Sequence, residues 1–149
     1  MTAYFGLRLC EPKPGEVCVV NGAAGAVGAI TGQLAKLKGL KVIGFAGTDE
    51  KCQWLTEELN FDYAFTYKKI SIADALKKSA PNGVDVFFDN VGGDFFYEML
   101  NKHMAQYGRV CVCGTTNFNF TRLRTIGLQI FCLLWIQLTS ISIGKQKLT

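Results

Sequence analysis

Five short apolar runs alternate with helical segments, and this alternation constrains the fold more than any other feature of the chain. The predicted strands are 16–21, 41–45, 62–67, 84–88 and 109–113, and the predicted helices between them are 28–38, 49–59, 72–80 and 95–104. Continuous apolar runs indicate strands that are covered on both faces. Strands joined by helical crossovers run parallel. The sequence therefore predicts an α/β fold, a doubly wound parallel sheet of five or six strands.

A glycine-rich turn follows the first predicted strand and leads into the first long helix. It reads NGAAGAVG, from Asn21 to Gly28. A pyrophosphate can approach the N–H groups of a helix N-terminus only where no side chain intervenes. Gly25 would permit that approach, and Gly28 would let the helix pack closely on the strand. The position of this turn between a strand and a helix predicts dinucleotide binding.

The residues after the second strand leave the type of dinucleotide open. An NAD site places an acidic residue about 20 positions after the glycines, and this count reaches Thr48. Asp49 and Glu50 follow, but acids are also favoured in the first turn of a helix for their effect on the dipole. Lys51 lies beside them and could hold a 2′-phosphate. Spacing alone is compatible with both NAD(H) and NADP(H).

Composition excludes several other classes of protein. The six cysteines form no CxxC pair, and a single histidine makes a zinc site of the usual ligand sets hard to build. The cysteines lie in apolar runs, which indicates reduced, buried thiols and a cytoplasmic location. The formal net charge of +4 combines −2 for residues 1–98 with +6 for residues 99–149. The basic residues of the last part are separated pairs, which argues against nucleic-acid binding.

The segment Ile126–Gly144 contains no charged residue and departs from the strand–helix alternation. Its length would allow a membrane anchor, although it contains several polar residues. A buried sixth strand drawn from Leu128–Trp135 is a second interpretation. Sequence foreign to the domain is a third. The residues themselves leave these three interpretations open.

Five motifs together resemble the prostaglandin reductase family, the leukotriene B4 12-hydroxydehydrogenase branch of the zinc-independent medium-chain dehydrogenases/reductases. They are TAYFGL (Thr2–Leu7), NGAAGAVG (Asn21–Gly28), GTDEK (Gly47–Lys51), FDNVGG (Phe88–Gly93) and GRVCVCG (Gly108–Gly114). The resemblance extends from Thr2 to Asn119. It implies reduction of the carbon–carbon double bond of α,β-unsaturated ketones and aldehydes, such as 15-oxoprostaglandins and 2-alkenals, with NADP(H) as cofactor. It implies no metal.

The resemblance also assigns residues to the cofactor. Gly25, Ala26, Val27 and Gly28 would hold the pyrophosphate, and Lys51 and Tyr67 would contact the 2′-phosphate. Asn90 would line the adenosine or phosphate side of the site. The segment at the end of the fifth strand would run along the cofactor, and its residues are Cys113, Gly114, Thr115 and Thr116. No catalytic residue is assigned, because Asn119 stands where the family has a tyrosine.

The resemblance divides the chain into three parts. Residues 1–15 correspond to an interdomain helix and turn, 16–120 to the NADP(H)-binding domain, and 121–149 to a divergent tail that suggests a truncated or misspliced product. The resemblance places no part of this sequence in the family's catalytic GroES-like domain, so we expect that domain to be absent and little turnover by this chain alone. The alternative is an inactive nucleotide-binding or dimerisation module. The family implies a homodimer formed through a sheet edge.

Overall fold

The computed structural model describes residues 1–114 and 129–132 and contains a strand–helix alternation close to the predicted one. The helices are α1 (Thr2–Leu9), α2 (Ala26–Leu37), α3 (Asp49–Glu57), α4 (Ile72–Ser79) and α5 (Gly93–Glu98). The strands are β1 (Val17–Val20), β2 (Lys41–Ala46), β3 (Tyr63–Thr66), β4 (Val84–Asp89), β5 (Met104–Val112) and β6 (Gln129–Cys132).

The six strands form one sheet in the order β3-β2-β1-β4-β5-β6, and every neighbouring pair is parallel. The chain moves outward from β1 in one direction as far as β3 and then returns to place β4 on the other side of β1. The predicted doubly wound parallel sheet is therefore confirmed. The reversal between β1 and β4 opens a crevice at the carboxyl ends of the strands, where ligands bind in such sheets.

The sixth strand falls inside the segment for which three interpretations were open. β6 lies within the predicted range Leu128–Trp135 and pairs with β5, with Val110 opposite Ile130. The rest of Ile126–Gly144 lies outside the described residues. Among the described residues, no helix combines the length and the hydropathy that a membrane span requires.

Both faces of the sheet are covered by apolar packing. Side chains alternate along β1, so Cys18 and Val20 join one buried cluster, while Val19 joins the other. The first cluster includes residues of α1, α2 and α3, and the second includes residues of α4 and α5. Because every residue from Cys18 to Val20 is fully buried, the continuous apolar pattern of the strands follows from packing on two sides.

Helix α2 approaches the sheet through small residues. Its buried positions are Gly28, Ala29, Thr31, Gly32 and Ala35. A Cβ atom at Gly32 would lie 1.9 Å from Cζ of the Phe61 ring, so this ring occupies the space that a side chain would need. The close packing fixes the N-terminus of α2 directly beyond the end of β1.

The region from residue 93 to 108 differs from the sequence prediction. The predicted helix 95–104 is divided into α5 and a π-helical turn, Met99–His103, and β5 begins at Met104 rather than at residue 109. The pairing of β4 with β5 is irregular here, since Val84 pairs with Met104 but Val86 pairs with Arg109. Tyr107 lies in this bulge with φ of +63°. The apolar pattern of the sequence could not predict this bulge, because Gln106 and Tyr107 within it are exposed.

Replacing Tyr107 by asparagine is expected to stabilise the protein. Tyr107 is 72% exposed and has a left-handed backbone, which costs an L-residue about 1 kcal/mol and which asparagine tolerates better. We expect the free energy of unfolding in urea to rise by about 0.5–1 kcal/mol. Tyr4→Asn is the control, because Tyr4 is exposed on the helix α1. The control should lower stability, and an equal gain in both variants would contradict the prediction.

Candidate cofactor-binding site

A cavity of about 500 Å³ lies at the carboxyl edge of the sheet, where β1 and β4 diverge. Its walls come from the segments that follow β1, β2, β3 and β4. The lining residues are Asn21, Gly22, Ala24, Gly25, Phe45, Ala46, Gly47, Lys51, Tyr67, Val91, Gly92, Asp94 and Phe95. The cavity therefore occupies the position that the strand order predicts for a ligand.

The N-terminus of α2 borders this cavity without a side-chain cap. Gly25 is the N-cap residue and lines the cavity. By contrast, the Thr48 and Ser71 hydroxyls cap α3 and α4 by accepting bonds from the N–H groups of Lys51 and Asp74. A Cβ atom at Gly28 would lie 2.4 Å from the carbonyl oxygen of Gly22. The turn is thus closed by backbone contact, and the first N–H groups of α2 are left for a ligand.

Two of the residues assigned to a phosphate line the same cavity. Lys51 is exposed at the start of α3, and no carboxylate in the described part of the chain pairs with it. Tyr67 follows β3, and a Cβ atom at Gly47 would lie 3.3 Å from its hydroxyl. Gly47 therefore allows the tyrosine to lie against the end of β2. The cavity has a cation and a hydroxyl on the side of β2 and β3.

The acidic residues beside Lys51 are arranged differently. Asp49 accepts a hydrogen bond of 2.7 Å from the Thr66 hydroxyl and forms an ion pair with Lys69. These contacts, with Lys69 first, lower the pKa of Asp49. Neither Asp49 nor Glu50 is among the residues that line the cavity. The two carboxylates that could have bound the ribose hydroxyls of NAD(H) therefore do not line the cavity.

A hydrogen-bond network joins β1 to β4 across the crevice. The Asn21 side chain donates to Oδ1 of Asp89 at 2.5 Å and accepts from the Asn90 N–H at 2.6 Å. The Asn90 amide donates to the Asn21 carbonyl at 2.9 Å. Asn90 itself is not among the lining residues. Its side chain is committed to fixing Asn21, which does line the cavity.

Asp89 is the centre of this network. Its Oδ1 also accepts from the N–H groups of Val91 (3.2 Å) and Gly92 (2.9 Å), which line the cavity. The residue has no exposed surface, and its Oδ2 has no hydrogen-bond partner among the described residues. Burial raises the pKa of Asp89, although the bonds from Gly92, Asn21 and Val91 act in the opposite direction. Asp89 is buried behind the cavity wall and fixes the wall by accepting hydrogen bonds from its residues.

The end of β5 is attached to the same residue. The N–H groups of Cys113 and Gly114 donate to the Asp89 carbonyl at 2.7 and 3.2 Å. A Cβ atom at Gly114 would lie 2.3 Å from the Asn90 carbonyl oxygen, so only glycine fits here. Neither residue lines the cavity in the described part of the chain. Thr115 and Thr116 lie outside the described residues.

Residues 26–142 match the family of zinc-binding dehydrogenases. The chain belongs to this family. Its prostaglandin reductase branch, which the sequence motifs indicated, is confirmed by the individual relatives. Within the described residues no group of three histidine, cysteine, aspartate or glutamate side chains could hold a metal ion.

Three relatives illustrate the similarity. Prostaglandin reductase 1 of Oryctolagus cuniculus is 50% identical over 116 residues, which are 76% of this chain and 33% of the relative. The NADP(+)-dependent 2-alkenal reductase of Nicotiana tabacum is 42% identical over 90% of this chain and 39% of its own length. The crystal structure of CurA from Vibrio vulnificus in complex with NADPH has a TM-score of 0.79 and 34% identity, and the match covers 89% of this chain and 44% of CurA. The chain spans between a third and a half of these proteins.

The structure adds residues that sequence reasoning did not assign to the candidate site. They are Asn21, Asp89, Gly47, Gly92 and Asp94. Asn21 follows β1 and Asp89 ends β4, on either side of the reversal. These positions at the carboxyl ends of two strands were the signal in the sequence that could have identified them. Pairing between two residues 68 positions apart cannot be read from spacing alone.

Proposed function

We propose that this chain binds NADPH and provides the cofactor-binding part of a reductase for the carbon–carbon double bond of α,β-unsaturated ketones and aldehydes. The observation that carries the proposal is the cavity at the crevice between β1 and β4. It combines the uncapped N-terminus of α2 with Lys51 and Tyr67. The names of the relatives, a prostaglandin reductase and a 2-alkenal reductase, support the choice of reaction.

The residues present fit the proposed cofactor. Gly25, Ala26, Val27 and Gly28 would hold the pyrophosphate through backbone N–H groups, since Gly25 carries no side chain at the helix terminus. Lys51 would pair with the 2′-phosphate, and the Tyr67 hydroxyl would hydrogen-bond to it. The withdrawal of Asp49 into its pair with Lys69 favours NADPH over NADH.

Asn90, Cys113 and Gly114 have an indirect role in this proposal. They fix the walls of the site through Asn21 and Asp89. Contact of Thr115 and Thr116 with the cofactor stays a prediction, because both lie outside the described residues.

The chemistry would be a hydride transfer. When bound, NADPH supplies the hydride for the β-carbon of the enone or enal. The residues of this chain bind and orient the cofactor, while a substrate pocket that excludes water is also needed for turnover. We therefore propose that full activity requires the rest of a protein of the relatives' length. The cytoplasm as location and pairing of two copies through the edge strand β6 are part of the same proposal.

Replacing Lys51 by alanine tests the choice of cofactor. We expect the affinity for NADPH, measured by fluorescence titration, to fall by about 10- to 100-fold, because a charged hydrogen bond to phosphate contributes about 1.5–3 kcal/mol. The affinity for NADH should not change, since NADH lacks the 2′-phosphate. Lys38→Ala is the matched control, as Lys38 is exposed at the opposite end of α2.

Two results would contradict the proposal. The first is an unchanged NADPH affinity of the Lys51→Ala variant, and the second is an equal loss for NADPH and NADH. Consumption of NADPH with 4-hydroxynonenal or a 15-oxoprostaglandin tests the reaction separately. A protein that contains this chain and has the full length of the relatives could bind NADPH but not consume it with either substrate. That result would support the alternative, an inactive nucleotide-binding module.

A further inference from the structure

Three thiols meet where β5 ends beside the C-terminus of α1. The Cys111 and Cys113 sulfur atoms are 3.6 Å apart, and Cys111 also contacts the Cys10 thiol. Cys111 has no exposed surface and Cys10 is 1% exposed, whereas Cys113 is half-buried. All three are free thiols. A solvent-borne reagent therefore meets Cys113 first.

The backbone explains why the two sulfur atoms of β5 are neighbours. Residues two apart in an extended chain present their side chains on the same face. β5 ends at Val112, so Cys113 is the first residue beyond the ladder. Its N–H donates to the Asp89 carbonyl at 2.7 Å. Asp89 thus connects Cys113 to the wall of the proposed cofactor cavity.

Cys10 and Cys111 are held differently. The Arg109 side chain donates from Nε to the Cys10 carbonyl at 2.9 Å and pairs with Glu16, which fixes the end of α1 against β5. Contacts with Cys10 and then Cys113, together with burial, raise the pKa of the Cys111 thiol. Cys111 has no exposed surface, so a reagent from solvent reaches Cys113 first and Cys111 can react only with its neighbour.

We propose that Cys113 and Cys111 form a dithiol that hydroperoxides oxidise to a disulfide. In the first step the Cys113 sulfur attacks the peroxide, the O–O bond breaks, and Cys113 sulfenic acid and an alcohol or water form. In the second step the Cys111 sulfur attacks the Cys113 sulfur, the S–O bond breaks, and water leaves with the thiol proton. The two thiols lose two electrons in total, and the peroxide gains them.

The disulfide changes the geometry at the cofactor edge. An S–S bond is about 2.05 Å long, so the two sulfur atoms must approach from 3.6 Å. Cys111 is paired on both sides, with β4 and β6, and Cys113 is the residue that moves. Gly114 has no free space beside the Asn90 carbonyl. We therefore expect oxidation to weaken NADPH binding, an effect that rests on the proposed function.

Peptide mapping of the full chain tests the dithiol directly. The tryptic peptide 110–122 contains Cys111 and Cys113 and no other cysteine. After brief exposure to dilute hydrogen peroxide, the unalkylated peptide should lose the mass of two hydrogen atoms, and dithiothreitol should restore it. Cys52→Ala is the matched control. Cys52 is a buried thiol on α3 beside the Thr66 hydroxyl, and its removal should leave the peptide oxidation unchanged.

The Cys111→Ala variant separates the two steps. Without the second thiol, Cys113 should remain as a sulfenic acid that dimedone labels, and the loss of two hydrogens should disappear. Two results in the wild-type chain would overturn the proposal: no mass change in peptide 110–122 while other cysteines oxidise, or a cross-link between Cys10 and Cys111.

The effect on the cofactor is measured separately. Oxidised wild-type protein should bind NADPH more weakly than reduced protein and should recover after dithiothreitol. Failure of the reduced protein to bind NADPH would contradict the proposed function alone, because the peptide mass still decides whether the dithiol forms.

Discussion

Replacing Gly25 by aspartate is expected to abolish NADPH binding while the protein stays folded. The new carboxylate would accept hydrogen bonds from the N–H groups at the start of α2. It would thereby occupy the position proposed for the pyrophosphate. Two unit charges 4 Å apart repel by about 4 kcal/mol at an effective dielectric constant of 20, which corresponds to an affinity loss of about 1,000-fold. The backbone of Gly25, with φ of −80° and ψ of 168°, suits an aspartate N-cap.

The control places the same charge at another helix terminus. Ser71→Asp also introduces a carboxylate at an N-cap, that of α4, which packs with the cluster on the opposite face of the sheet. Gly25→Asp should unfold at a urea concentration close to that of the wild type, apart from a small shift for the 3.2 Å approach of a Cβ atom to the Gly22 carbonyl. Ser71→Asp should unfold at a lower concentration, because it replaces the hydroxyl that donates to the Asp74 carboxylate at 2.7 Å with a second carboxylate. Only Gly25→Asp should lose NADPH in a fluorescence titration. Retention of wild-type affinity would show that the pyrophosphate lies elsewhere.

Replacing Asp89 by alanine is expected to lower the free energy of unfolding by about 3–5 kcal/mol. The substitution removes the acceptor of the Asn21 amide and of the Val91 and Gly92 N–H groups. An unsatisfied buried donor costs about 1–3 kcal/mol. Chemical denaturation measures the loss.

Asp89→Asn is the informative partner of that variant. Asparagine keeps an acceptor oxygen in the place of Oδ1, and its amide replaces the Oδ2 that has no partner among the described residues. We expect a much smaller loss of stability than for alanine. An equal loss in the two variants would show that the charge of Asp89, rather than its acceptor role, maintains the network.

The asparagine variant also isolates a pH dependence. Burial raises the pKa of Asp89 in the folded state above its ordinary value, so the folded protein holds this proton more tightly than the unfolded chain. The contribution of Asp89 to stability therefore falls as pH increases from about 4, near the unfolded pKa, through the raised pKa, and is constant above it. The difference in stability between wild type and Asp89→Asn should follow this course. A difference that grows in favour of the wild type with rising pH would contradict the sign.

The sheet was predictable because its determinants are local. The strands β1, β2 and β4 are short apolar runs, and helical segments separate them in the sequence. The glycine turn and Lys51 were identified from motifs, and both line the cavity. The parallel arrangement followed from the helical crossovers between strands.

The remaining features depend on contacts distant in sequence. The early start of β5 arises from a bulge opposite Val84, and no apolar period marks it. Asn90 was assigned to the cofactor, yet its amide is bonded to Asn21, 69 residues away. The central role of Asp89 requires the end of β1, the loop after β4 and the end of β5 to be brought together, which only the folded sheet does.

The lining of the cavity has a consequence for synthesis of the protein. Within residues 1–114 and 129–132, the residues that line the cavity all fall between Asn21 and Phe95, and this wall closes when β4 docks beside β1. Domains begin to fold while the ribosome is still adding residues. These walls of the cavity can therefore form on the nascent chain before β5 and β6 emerge. The N–H groups of Cys113 and Gly114 bond to the Asp89 carbonyl afterwards and join the end of β5 to those walls.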